Sequence, residues 1–328
     1  MKSLFEHIPG NELVKDYLVN MVQKQAVGNS LLFSGPDDAQ KDLFALSLAK
    51  ILMGEQAHSK IDTDTHPDLH IYRPEGKIGM HSIASMRQFC EEVYLPPYES
   101  SWKVFVIQDA ERMLSYSANA LLKTFEEPAL DSVIILLTAQ PNLLLPTILS
   151  RCRIVRFQGV TKKSLIDNSL RQAVLNLLAK GKVGTYTELS FSAAQLADLI
   201  QESQKTEEEA HQSEIKKISL EMNAQQRQAL EKELEGAMTM SLHKHAKTLF
   251  QDILSWYRDL HLIHAKGRKE LIQNVDFYEQ LVLVYQKGGL LPLETVEKSV
   301  KQAIMSLERS TALNLCLERL LLELRFID

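Results

Sequence analysis

The feature that most constrains this chain is a rhythm running from about residue 31 to 158. Five short apolar runs, "SLLFSG", "LHIYRP", "KVFVIQDA", "SVIILLTA" and "RIVRF", are separated by stretches long enough for crossover helices. A strand covered on one face alternates apolar and polar residues, whereas a strand covered on both faces reads as a continuous apolar run. Such runs alternating with helical segments predict a parallel five-stranded α/β sheet flanked by helices. The helix after the first run carries Leu43, Leu46 and Ala49 with Phe44, Leu48 and Leu52 at core spacing. After about residue 159 the β-type runs stop. A chain of 328 residues exceeds what one core usually supports, so a second domain is expected there.

Residues 205–238 are dense in charge with few apolar positions and predict a long, mostly solvated connecting helix; no apolar heptad persists to make it a coiled coil. Four helical patterns follow Gly236. In the first, Leu249, Ile253, Trp256, Leu260 and Ile263 recur at spacings of four and three, with Gly267 just past the end as a C-cap. Gly288 and Gly289 stop the second, Pro292 precedes the third, and "TALNLCLERLLLELRF" is the last, apolar on more than one face. The net charge of −5 gives no general basis for phosphate neutralisation, which argues against a dedicated nucleic-acid binder. Cys90, Cys152 and Cys316 are odd in number and far apart, so neither a disulfide framework nor a zinc quartet is expected. No apolar stretch approaches the ~20 residues that span a bilayer, and the N-terminus lacks a signal-peptide core. A cytoplasmic protein without membrane association is the expectation.

The first apolar run leads into "SGPDDAQKD", residues 34–42, where a phosphate-binding loop would lie. A working loop reads G-x-x-x-x-G-K-[ST]: glycines close the backbone amides on phosphates, the lysine reaches the outer phosphates and the hydroxyl ligates Mg²⁺. Gly35 and Lys41 are in register, but Gln40 replaces the second glycine and Asp42 the hydroxyl residue. Asp37 and Asp38 add further negative charge. Each carboxylate about 5 Å from a phosphate costs roughly 3 kcal/mol at an effective dielectric near 20. The same aspartates suit a helix N-terminus, where carboxylates match the dipole.

The third run, "VFVIQDAERML", supplies a second test. An active Mg-ATPase of this type ends that strand with Asp-Glu; here Asp109 stands in the metal position, Ala110 in the base position, and Glu111 follows. A one-residue shift along an extended strand turns a side chain to the other face, so Glu111 is not expected to replace the base.

With the loop at 34–42, the segments "DAERMLSYSANALLKTFEEP" at 109–128 and "ILLTAQPNLLLPTILSRCRIVRF" at 135–157 resemble the AAA+ subunits of the bacterial DNA polymerase III clamp loader. The loop defects are similar to those of the delta prime type, as is "THPDL" at 65–69. "ALNLCLERLLLEL" resembles, more weakly, the collar helices of that family. The resemblance implies a RecA-like AAA+ domain at 1–158, a small helical lid at 159–204, a connecting helix at 205–238 and an all-α collar at 239–328. It implies a non-catalytic subunit that helps load the sliding β clamp onto primed DNA, in a ring with gamma/tau and delta subunits. In the family, a Ser-Arg-Cys triplet sends its arginine to the ATP of a neighbouring subunit; the matching residues are Ser150, Arg151 and Cys152. Read from residues alone, Arg151 could instead cap the short helix opened by Pro146, and Cys152 is a small buried hydrophobe. Gly35, Lys41 and Asp109 would be vestigial nucleotide contacts, with ATP and Mg²⁺ only if that site still binds. The alternative is an ATP-hydrolysing gamma/tau-type motor; a third reading is an AAA+ scaffold without a replication role.

The chain departs from the family in lacking a four-cysteine zinc module before the second strand, so zinc is not expected. "NSLRQA" at 168–173 looks like a sensor 2 arginine motif but follows the Ser-Arg-Cys triplet too soon. Asp62, Asp64, His66 and Asp68 read as a solvated turn, and "LPPYESSW" at 95–102 as a structural one. Lys103, Arg112 and Lys123 could approach DNA in an assembled ring or lie in solvent, which the sequence does not decide, and the helix histidines His243, His245, His261 and His264 are expected exposed rather than on a metal.

Overall fold

The computed structural model describes residues 2–113, 121–126, 131–159, 168–181, 184–218, 224–288, 290–309 and 311–324. The chain divides into two compact units, Met1–Ser164 with Lys232–Ala237, and Leu165–Glu231 with Met238–Asp328.

The first unit is built on five parallel strands: β1 (Ser30–Ser34), β2 (Leu69–Tyr72), β3 (Lys103–Ile107), β4 (Ser132–Thr138) and β5 (Arg153–Arg156). Their order is β2-β3-β4-β1-β5, so β1 lies inside the sheet while β2 and β5 form its edges. All five coincide with the apolar runs. The reason is visible in the core, where Leu31, Phe33, Val104, Val106, Val133, Ile135 and Leu137 point to one face. Leu32, Phe105, Ile107, Ile134 and Leu136 point to the other. Both faces are covered. The first carries α1 (Glu12–Gln23) and α2 (Lys41–Met53). The second carries α4 (Ile83–Glu92), α5 (Leu122–Glu126) and α6 (Pro146–Leu149); α3 (His58–Asp62) precedes β2. On α2 the fully buried stripe is Phe44, Ala45, Leu48 and Ala49, with Leu43, Leu46 and Leu52 half-buried beside it. Burying each large side chain contributes about 1.5–3 kcal/mol.

Several charged residues expected in solvent lie inside this unit. Asp62 and Asp64 are exposed, but His66 and Asp68 are buried. The Asp68 carboxylate accepts from the backbone N–H groups of Tyr98 (2.5 Å), Glu99 (2.7 Å) and Ser100 (2.9 Å), which holds the "LPPYESSW" turn. Burial alone would raise its pKa; the three N–H donors hold it below the usual carboxylate value. Lys103 and Arg112 are buried as well, and the Lys103 ammonium donates to Glu92 O at 3.2 Å.

The second unit is helical: α7 (Asn168–Lys180), α8 (Tyr186–Ile218), α9 (Ala224–His264), α10 (Tyr278–Lys287), α11 (Leu293–Glu308) and α12 (Leu313–Glu323). Residues 205–218 end α8 and residues 224–238 begin α9; 219–223 lie outside the described residues. One apolar core joins Leu196 and Ile200 of α8, Leu249, Ile253 and Trp256 of α9, and Leu317 and Leu320 of α12. At the end of α9 the left-handed residue is Lys266, at φ 51°, rather than Gly267. Gly267 N–H donates to Leu262 O and Lys266 N–H to Ile263 O, a Schellman closure whose glycine sits one position later than expected. Gly288 ends α10 at φ 82°, and Pro292 leads into α11. His243 and His245 are buried, against expectation, and His245 Nδ1 bonds Ser241 O at 2.9 Å; the backbone carbonyl one turn earlier satisfies a ring that the core covers.

Candidate functional site

Parallel strands bring the loops that follow β1, β3 and β4 to one edge of the sheet, their carboxyl ends, where α/β proteins bind ligands. Gly35 leaves β1 there, Asp109 follows β3, and Ala139 follows β4. Gly35 has an ordinary backbone angle, but a Cβ on it would lie 2.7 Å from both Cβ and O of Phe157. The glycine is therefore required by the close approach of the chain leaving β5. Gln40 takes the left-handed conformation, φ 53° and ψ 40°, that the missing glycine would favour, so the turn into α2 keeps its shape with a side chain present.

Lys41 is buried, and its ammonium donates to the loop's own carbonyls, Gly35 O at 2.6 Å and Pro36 O at 2.7 Å. Burial pushes its pKa down, opposed by the nearby carboxylates Asp37, Glu111, Asp109 and Asp42. The lysine thus closes the loop on itself.

Glu111 does not follow strand parity. β3 ends at Ile107, Asp109 is left-handed at φ 46°, and Ala110–Arg112 form a short 3-10 turn, so no extended strand separates Asp109 from Glu111. Glu111 Oε1 accepts from Ala139 N at 3.2 Å, and its other oxygen is buried without a hydrogen-bond partner among the described residues. Glu111 thus reaches the loop side of the sheet near Lys41. Beneath this turn His81 is fully buried, and its Nε2–H donates to Gln108 O at 2.7 Å. Burial pulls the imidazole pKa down to about 4, with the Gln108 and Asp109 backbone opposing, so His81 is neutral at physiological pH.

Ser150, Arg151 and Cys152 occupy the opposite edge. They follow α6 and lead into β5, whose Arg153 is level with Leu31 near the start of β1. Arg151 is half-buried: one guanidinium nitrogen donates to Thr147 O at 2.9 Å and lies 3.4 Å from Ser150 Oγ, and the other pairs with Glu126 Oε1 of α5. The helix-capping contact and an accessible cation therefore coexist. Cys152 packs against Ile148, and burial pushes its thiol up to about 12, leaving it un-ionised. Glu126 lies in "TFEEP", yet nothing in the sequence marks its pairing with a residue 25 positions away.

The sensor-like Arg171 is tied into the second unit. It donates to Asp276 Oδ2 at 2.9 Å and Asn274 Oδ1 at 2.8 Å, and lies 3.9 Å from Asp252. Asp259, fully buried, accepts from the backbone of Gln273 and Asn274 and from the Asn274 amide, which fixes the loop that Arg171 grips. Among the described residues, no group of three or more His, Cys, Asp or Glu could hold a metal ion, and no helix is long and apolar enough to cross a membrane.

Residues 10–161 match the family described as DNA polymerase III, delta subunit. The chain is 34% identical to the Bacillus subtilis DNA polymerase III subunit delta' over 184 residues, 52% of this chain and 55% of that protein. It is 29% identical to the Bacillus subtilis subunit tau over 173 residues, 49% of this chain and 30% of that protein. The chain thus spans about half the length of the delta' relative and under a third of tau. Among solved structures, a Thermotoga maritima gamma subunit-related protein is 19% identical with a TM-score of 0.37, covering 90% of this chain and 98% of that one. Residues 10–161 are thus similar to subunits of DNA polymerase III, the delta' and tau subunits among them.

Proposed function

We propose that this chain is a non-catalytic clamp-loader subunit that presents Arg151 to the ATP of a neighbouring gamma/tau-type motor. It thereby assists loading of the β clamp onto primed DNA in the cytoplasm. The observation that carries this reading is the contrast between the two cations: Lys41 is closed onto Gly35 O and Pro36 O amid carboxylates, while Arg151 stands at the other edge with its side chain accessible. A guanidinium is always charged and forks onto phosphate oxygens, and a finger in trans stabilises transition-state charge. Residues 159–204 would serve as lid, 205–238 as connecting helix and 239–328 as collar, with gamma/tau and delta subunits as ring neighbours. In a reconstituted complex, Arg151→Ala is expected to slow clamp- and DNA-stimulated ATP hydrolysis by about tenfold or more. Unchanged turnover removes the finger role.

A second reading, a gamma/tau-type ATPase, draws support from Glu111, which faces the Lys41 side of the sheet, and from the match to tau. Titrating fluorescent ATP against the isolated chain separates the two. Magnesium-dependent micromolar binding abolished by Lys41→Ala supports the motor; no binding supports the non-catalytic subunit.

A further inference from the structure

Arg151 is held by two kinds of contact. Its bond to Thr147 O is local, available to any arginine closing α6. Its pair with Glu126 is not: that carboxylate comes from a separate helix, 25 residues earlier. Glu126 is itself well anchored, because the two residues before it, Thr124 and Phe125, are buried, and Phe125 shares a core with Ile148 and Cys152 beside Arg151. An unpaired arginine side chain has many rotamers, and much of that freedom must be lost before its fork meets a phosphate. A carboxylate on a helix whose preceding residues are buried removes part of that freedom in advance. The guanidinium has five N–H donors, so bonds to Glu126 and Thr147 do not exhaust its fork.

We propose that Glu126 is a positioning residue for Arg151, orienting the guanidinium for the neighbouring subunit's triphosphate. This rests on the finger reading. The test uses the full chain assembled with its cognate gamma/tau-type and delta subunits, with assembly checked by size exclusion. Glu126→Gln is expected to lower kcat for clamp- and DNA-stimulated ATP hydrolysis about two- to fivefold at unchanged KM, the range given by a partly exposed ion pair. Glu126→Asp, which keeps the charge on a shorter arm, should recover part of the loss. In an Arg151→Ala background Glu126→Gln should have no further effect. An unchanged kcat, or the same fold loss with and without Arg151, overturns the proposal while leaving the finger reading intact. If Arg151→Ala itself changes nothing, both fall.

Discussion

Lys41 and Arg151 belong to one sheet but to opposite edges of it, and they are handled in opposite ways. At the carboxyl edge the ammonium is buried and turned onto two carbonyls of its own loop. At the amino edge the guanidinium keeps a half-buried position at the end of a short helix, braced by a neighbouring carboxylate. A parallel sheet tolerates this division because each edge is built from its own set of loops. Chemistry can fade at one while it persists at the other.

The strongest test of the contrast keeps the charge and removes the fork. Arg151→Lys is expected to lose nearly as much stimulated ATP hydrolysis in the assembled complex as Arg151→Ala, about tenfold, since an ammonium lacks the planar pair of donors. Full activity in the lysine variant would show that charge alone suffices.

Next in size is Gly35→Ala. Its methyl would sit 2.7 Å from Phe157 backbone and Cβ, which cannot swing aside, so a loss of about 2–3 kcal/mol is expected in urea unfolding followed by circular dichroism. An unchanged midpoint would mean that the glycine is kept for something other than packing.

A third test concerns His81 under the Asp109 turn. Its folded pKa, about 4, lies below the unfolded value of 6.5, so the unfolded state binds the proton more readily between them. The stability contributed is full above pH 6.5 and is lost as pH falls toward 4, at most about 3 kcal/mol. His81→Gln should flatten the fall in unfolding free energy between pH 7 and 4.5, and an equal slope in both proteins would refute the assignment. The smallest effect is expected for Lys41→Met, with stimulated hydrolysis in the complex changed less than about twofold, because relief of a buried charge offsets two lost hydrogen bonds. A large loss would place Lys41 among working nucleotide contacts and erase the contrast.

The sheet was legible in the sequence because strands covered on both faces leave a signal that needs no knowledge of partners: Leu31, Leu32 and Phe33 are all buried. Individual charges were harder to read. His66, Asp68, Lys103 and Arg112 have ordinary loop or strand-end surroundings in sequence, and their burial follows from partners supplied by folding, such as the amides of residues 98–100 around Asp68. Glu111 escapes strand parity because β3 ends at Ile107, four residues before it, and a left-handed turn at Asp109 intervenes. The Ser150-Arg151-Cys152 triplet stands out by pattern, whereas Glu126 becomes visible only once α5 and α6 lie side by side.

β5 connects the two edges directly. Two residues after Arg151 the chain enters this four-residue strand, which among the described residues pairs with β1 alone, and leaves it at Phe157, whose N–H bonds Ser34 O at 2.7 Å beneath the loop. A pull on the arginine would be borne as shear along the β1–β5 row of hydrogen bonds and delivered to the floor of the loop at residues 34–42.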